Sequence, residues 1–172
     1  MSRRMALYSA IFASSAVVAL GACSAQAPTT SDAASEASSE TNWLEIPLAA
    51  GTWVYRQDDR GSLALYGEPD SEALFLVRCN QADRQIFFSF AGALDTAGGT
   101  MAFQATHGTA SYAAQNGSGT PPYIVAATNG ADPYLDTIAF SRGRIAITAT
   151  GHAMTAIPNW PQMTRVFEDC RG

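Results

Sequence analysis

From residue 42 onward, short apolar stretches alternate with clusters of glycine, proline, asparagine and aspartate. That pattern predicts strands joined by turns. Residues 52–55, Thr-Trp-Val-Tyr, follow Gly51 and are aromatic or β-branched, which suits a pleated, half-buried surface. Asp58-Asp59-Arg60-Gly61 is a turn, and residues 62–66 alternate up to the breaker Gly67-Glu68-Pro69-Asp70. Residues 73–79 are almost continuously apolar, as in a central strand. The turn Asn80-Gln81-Ala82-Asp83 returns the chain into residues 85–90, which makes the strongest hairpin signal of the sequence. Residues 101–106 alternate after Gly98-Gly99. Residues 111–114 and 123–127 add two strands on either side of the loop 116–122. A second hairpin joins residues 144–148 to residues 152–157 around Gly151.

Two segments change period. Asp132 is placed to cap a helix with Pro133 in its first turn, running through Phe140 and ending at Gly143. After Pro158, Asn159 reads as the cap of a last helix with Pro161 in its first turn. Met163, Val166, Phe167 and Cys170 fall at helical spacing and form one inward stripe. The predicted class is mainly β: an antiparallel meander forming a sandwich or curled barrel, with two short helices, the second C-terminal. Residues 42–172 make one β-rich domain.

The N-terminus follows a different logic. Met1-Ser2-Arg3-Arg4 is basic, and residues 5–20 carry no charge. This pattern reads as a secretory signal; the run is a little short for a spanning helix, the alternative being an uncleaved anchor. Leu20-Gly21-Ala22-Cys23 closes the run and resembles the lipobox of bacterial lipoprotein precursors. The resemblance implies a signal peptide over residues 1–22, a diacylglycerol on the Cys23 sulfur, cleavage before Cys23 and acylation of the new amine. The lipid bilayer, reached through acylated Cys23, is then the first partner. Ser24 follows the cysteine, and in that family the absence of aspartate there implies the outer membrane, facing the periplasm, over the inner one. The last helix is similar to that of small uncharacterised envelope proteins of Gram-negative bacteria. Residues 23–41 hold no aromatic or large aliphatic side chain, and Asp32, Glu36 and Glu40 would repel on one helical face. Such a segment is expected to be a disordered tether.

Charge and cysteines narrow the function. Removing Arg3 and Arg4 from the ten basic residues leaves eight against fifteen acids, a formal charge of −7, and lysine is absent from the whole chain. Nucleic acid is therefore not an expected partner, and lysine-dependent covalent chemistry is excluded. With Cys23 lipidated in an exported protein, Cys79 and Cys170 are expected to pair as a disulfide. With His107 and His152 they lack the short paired spacings of a zinc site, so neither metal nor cofactor is expected.

Leu94-Asp95-Thr96-Ala97-Gly98 has alanine where an aspartic-protease triplet needs glycine, so Asp95 reads as a turn residue. No Gly-x-Ser-x-Gly elbow accompanies His107, in a turn, or His152, at a strand start; both read as surface or rim histidines. Arg142 and Arg144 flank Gly143 and could together meet an anion or a partner. Trp53, Trp160, Pro122 and Tyr123 could line a binding surface, although most such aromatics are core. The function expected is a non-enzymatic, membrane-anchored envelope lipoprotein that binds a protein or a cell-wall component. The alternatives are an inhibitor of a secreted hydrolase and a hydrolase with an unrecognised site. Mass spectrometry of the membrane fraction should find an acylated N-terminal Cys23; an unmodified Cys23 would refute the lipobox reading, and Cys23→Ser should leave the precursor unprocessed.

Overall fold

The computed structural model describes residues 42–172; the expected signal segment, Cys23 and the tether lie outside the described residues. Nine strands and two helices follow in order. The first four strands are β1 (Thr52–Asp58), β2 (Gly61–Gly67), β3 (Phe75–Asn80) and β4 (Gln85–Ala91). Then come β5 (Gly99–Ala105), β6 (Gly108–Asn116), β7 (Tyr123–Asn129), α1 (Tyr134–Ala139), β8 (Arg144–Ala149), β9 (Thr155–Pro158) and α2 (Pro161–Arg171). All strands join one curled half-barrel sheet in the order β1-β2-β3-β4-β7-β6-β5-β8-β9, and every ladder is antiparallel.

The expected class holds, and both hairpins form, β3 with β4 and β8 with β9. The two-sheet option is absent among the described residues, and the meander is interrupted. After β4 the chain skips two places, lays down β5, and returns through β6 to β7 at the side of β4. It then crosses by α1 to β8 on the other side of β5.

Alternation along the strands turns one face inward. That face carries Tyr66, Phe75, Phe88, Met101, Phe103 and Ile124, all essentially fully buried. Phe88 sits at the centre of an aromatic cluster. Its ring centroid lies 4.6 Å from Phe103, 6.2 Å from Phe75 and 6.3 Å from Phe167 of α2. Helix α2 closes this concave face with the expected stripe: Met163, Val166, Phe167 and Cys170 are buried.

Asp132 acts at the start of α1 as expected. One carboxylate oxygen accepts from the Tyr134 N–H at 2.9 Å, while the other accepts from the Tyr112 and Thr128 hydroxyls at 2.8 and 2.6 Å. Burial pushes the Asp132 pKa up, but these hydrogen bonds outweigh it and hold the carboxyl below its ordinary value. The same contact, after burial as the larger cause, raises the Tyr112 phenol.

Asn159 does not cap α2. Its amide N–H groups reach the carbonyls of Ile138, Ala139 and Ser141 at 2.8–3.1 Å, so it closes the end of α1 instead. Carbonyls at the end of a helix lack intrahelical donors and draw the Asn159 amide, with Ile138 also accepting from the Ser141 N–H, while Pro161 at the start of α2 has no N–H to offer. Trp160 supplies the extended backbone at that point, without a side-chain cap.

The two edge strands are β1 and β9, and a seam joins them. The Trp53 indole N–H donates to the Pro158 carbonyl at 2.8 Å. Residues 48–49 lie along β9 through a parallel bridge of Leu48 with Ala156 and the Ala49 N–H bond to the Ala156 carbonyl. Tyr66 ties the same segment to β2 by donating to the Ala49 carbonyl at 2.6 Å. Gly51, at φ 145°, then turns the chain into β1; a Cβ there would stand 2.7 Å from the Gly67 backbone.

Cys79 and Cys170 are joined, with Cα atoms 5.4 Å apart. The bond clamps the end of α2 to β3. Noncovalent clasps share that load. The Tyr55 hydroxyl donates to Asp169 at 2.6 Å, the Arg165 guanidinium lies 4.2 Å from the Tyr55 ring centroid, and Arg171 reaches Asp136 at 2.6 Å. Asp169, near the end of α2, therefore bonds across elements to β1. The disulfide spans 91 residues, so removing it releases a long loop into the unfolded ensemble. Cys170→Ser should cost about 2–4 kcal/mol and expose α2 to protease first. A shift in the urea midpoint worth less than about 0.5 kcal/mol would show that the clasps suffice.

Candidate functional site

The same alternation that buries one face of the sheet presents the other. On β1 to β4 and β7 the outward residues form two registered rows. One runs Val54, Leu65, Leu76, Ser89 and Val125; the next runs Arg56, Leu63, Arg78, Phe87 and Ala127. An antiparallel sheet with one wet face should carry polar side chains here. This face instead has half-buried leucines, a phenylalanine and a valine, with arginines set among them.

Two depressions shape it, and both include Leu76 and Tyr123. One, of about 560 Å³, lies between Val54, Arg56, Leu65 and the turn at Glu68–Glu72. The other, of about 540 Å³, lies between Arg60, Arg78, Phe87, Val125 and the loop Gly117–Gly119. The ridge between them is rigid. Tyr123 donates to the Ala73 carbonyl at 2.7 Å, and burial, then the charge of Glu72, raises its phenol pKa.

The arginines differ in freedom. Arg78 makes a two-toothed pair with Asp58, both contacts at 2.9 Å, and Arg60 stands 3.6 Å from the same carboxylate. The Arg78 hydrogen bond is the main cause that holds the Asp58 carboxyl down at about 2. Arg56 is exposed and makes no side-chain hydrogen bond or ion pair among the described residues. Arg56, Arg60 and Arg78 thus stand around the bound Asp58 carboxylate on one side of the face, while Glu68, Asp70 and Glu72 wall the far side of the first depression.

A second cleft, of about 670 Å³, lies beside α2 and is bounded by Tyr55, Asn159, Trp160, Arg165 and Asp169. The Tyr55 hydroxyl is turned on Asp169, Arg165 on the Tyr55 ring and the Asn159 amide nitrogen on α1, while Asn159 Oδ1 and Gln162 Oε1 are buried without a hydrogen-bond partner among the described residues.

The residues singled out from the sequence do not converge on one place. Cys23 lies outside the described residues. Cys79 and Cys170 are buried in the disulfide. Arg142 is exposed, but the Arg144 guanidinium is committed to the carbonyls of Leu44 and Ile46 at 2.8 and 2.9 Å. It holds the entering chain in place and does not stand free beside Arg142 to meet an anion. Trp53 is core, Tyr123 lines the outward depressions, Pro122 is exposed beside it, and Trp160 is exposed at the start of α2.

Asp95 is exposed in the 92–98 connection, where the Asn116 side chain bonds both the N–H and the carbonyl of Leu94. His107 is exposed in the β5–β6 turn. His152 sits in the turn before β9, not at its start, with Nε2 2.9 Å from the Ala93 carbonyl and its ring edge-on to Phe90. Among the described residues no three His, Cys, Asp or Glu side chains gather as a metal site, and no helix is long and apolar enough to cross a membrane.

Comparison of the chain with known protein families, with curated proteins and with solved structures returns no match. The site therefore stands on its own geometry.

Leu65, Leu76, Arg78 and Phe87 were missed as site residues by the sequence reading. A signal was present: β3 and β4 carry apolar side chains at successive positions, Phe-Leu-Val and Ile-Phe-Phe, where a sheet with one wet face would alternate. The arginine pairing can be tested by titration. Replacing Arg78 with alanine should return the Asp58 carboxyl from about 2 toward 3.8, read by side-chain carbonyl NMR. The folded-state pKa is depressed, so the pair stabilises above the unfolded value and is lost as pH falls toward 2. Because Asp58 is exposed, the effect on overall stability should be small. A carboxyl still titrating near 2 would place the cause in the Arg60 backbone bond instead.

Proposed function

We propose that this chain is a non-enzymatic lipoprotein of the bacterial envelope. Acylated Cys23 tethers it to the outer membrane facing the periplasm, and the outward sheet face binds an acidic segment of a partner protein. The observation that carries the binding part is the outward row Arg56, Leu63, Arg78, Phe87, in which cations and apolar side chains alternate across four strands. Exposed apolar surface of this kind marks an interaction site. The arginines give it a sign: their forked donors match carboxylates and favour an acidic ligand.

A polypeptide suits this face better than a sugar polymer. Val54, Leu65, Leu76 and Val125 make most of the floor aliphatic, with Phe87 and Tyr123 beside them, and guanidiniums set at the strand spacing match the carboxylates of an extended peptide. The two depressions meet at Leu76 and Tyr123, which would let one extended segment lie across both.

The test is photo-crosslinking in the cells that make the protein. A benzophenone side chain at Leu76 should give an adduct of defined mass, and the same probe at exposed Thr109 should not. Reversing Arg56 and Arg60 to glutamate should reduce the adduct at least tenfold without lowering the unfolding temperature. Equal labelling at both positions, or labelling indifferent to the charge reversal, would remove the proposal.

A further inference from the structure

Five large apolar residues are markedly exposed among the described residues: Phe140 at 73%, Leu44 at 55%, Leu48 at 43%, Trp160 at 42% and Val54 at 41%. Val54 belongs to the outward sheet face. Backbone and side-chain bonds draw the other four together at one corner. Asn159 holds the carbonyls of Ile138, Ala139 and Ser141, so it brackets Phe140, and its own N–H bonds the Gly143 carbonyl. Trp160 is the next residue. Arg144, opposite Pro158 in the β8–β9 ladder, grips the carbonyls of Leu44 and Ile46. Leu48 is bridged to Ala156 on the same strand.

Nothing in the fold requires these side chains to be apolar. Phe140 caps the end of a six-residue helix through its backbone alone. Trp160 makes no side-chain cap, and its indole N–H has no acceptor among the described residues. Beside them Arg142 is exposed, and its side chain has neither hydrogen bond nor ion pair among the described residues. A corner of leucine, phenylalanine, tryptophan and a free guanidinium has the composition of a membrane interface: aromatics at headgroup depth and a cation for lipid phosphate.

We propose that this corner rests on the bilayer surface and acts as a second membrane contact beside the lipid. The inference builds on the lipoprotein reading above. The place where the chain enters the domain selects the occupant. Asn42 is the first described residue and Leu44 follows two positions on, so the corner is the part of the domain nearest the spacer. Eighteen residues, Ser24 to Thr41, separate Cys23 from Asn42, and a chain of that length behaving as the coil its composition predicts would span roughly 20–25 Å. Tethering at that length raises the effective concentration at the surface to the millimolar range, where a weak interfacial contact is populated.

The test uses the full chain purified with its own N-terminus and reconstituted in vesicles of phosphatidylethanolamine and phosphatidylglycerol carrying brominated acyl chains. Tryptophan emission should be quenched by the bromolipid. Trp160→Phe should remove at least half of that quenching, and Phe140→Ser should weaken it at least twofold, since both positions are exposed and should not unfold the protein. Quenching that is absent, or identical in the wild type and Trp160→Phe, would overturn the proposal. The mass of the N-terminal peptide from the same sample separates the two readings. Quenching with an unmodified Cys23 keeps the contact and removes the lipid, whereas acylated Cys23 without quenching removes the contact alone.

Discussion

A sheet that curls without closing has an apolar hollow and two bare edges, and this domain depends on how both are covered. The hollow is filled by α2, whose four-residue stripe meets the aromatic cluster around Phe88. The edges are joined by the entering chain, which lies along β9 before it turns at Gly51 into β1. Unpaired edges invite association with other strands, and a seam of this kind removes the invitation. The disulfide then fixes α2 to β3 at its far end, so that the cover cannot lift without exposing the cluster. Long-range devices hold the architecture: Trp53 to Pro158, Arg144 to Leu44, Tyr55 to Asp169 and Cys79 to Cys170 each connect residues about 90 or more positions apart.

The covering scheme leaves the rest of the surface free for function. Because α2 occupies the inner face, no helix among the described residues covers the outer face of β1 to β4 and β7. Its arginines sit on a chain of net charge −5, so they are local exceptions and not part of a general basic field. Arg78 shows how the exception is maintained. Asp58 holds it with both oxygens, which sets its direction, while Arg56 has no ion pair among the described residues. A fixed cation beside a half-exposed apolar row gives register as well as attraction, since a ligand must satisfy both at the strand spacing.

Local features of the fold were legible. The hairpins at residues 73–90 and 144–157 announce themselves through turn residues between apolar runs, and the stripe Met163, Val166, Phe167, Cys170 through its period. The strand order was not legible. The pairing of β4 with β7 depends on contacts between segments far apart in sequence, which local alternation does not encode. Asn159 shows the same limit at one residue. The local rule makes it an N-cap, but three carbonyls some twenty positions earlier compete for its amide and win. Arg144 read as an anion or partner contact beside Arg142 for a related reason, because the carbonyls it serves lie about a hundred residues away. The outer face was half legible. The apolar runs of β3 and β4 were visible, but a central strand covered on both sides explains them equally well until the topology shows one side bare.

The two proposed surfaces impose a geometric relation on each other. The proposed membrane corner lies at the end of the β8–β9 hairpin: Phe140 and Trp160 stand where α1 ends and α2 begins, while Arg144, alternating with core Ile145, holds the Leu44 segment on the outer side. The arginine rows also lie on the outer side. What separates the two surfaces is the strand order, in which β8 and β9 lie at one end of the sheet and β1 to β4 at the other, and that separation matters because anionic headgroups compete for Arg56 and Arg60 wherever they reach them. The acidic character of the whole chain works in the same direction: it resists broad adsorption to such a surface and leaves the few uncompensated residues at the corner, Arg142 among them, to decide which side goes down. Orientation on the membrane and availability of the binding face would then follow from one arrangement, the strand order of a sheet that did not close.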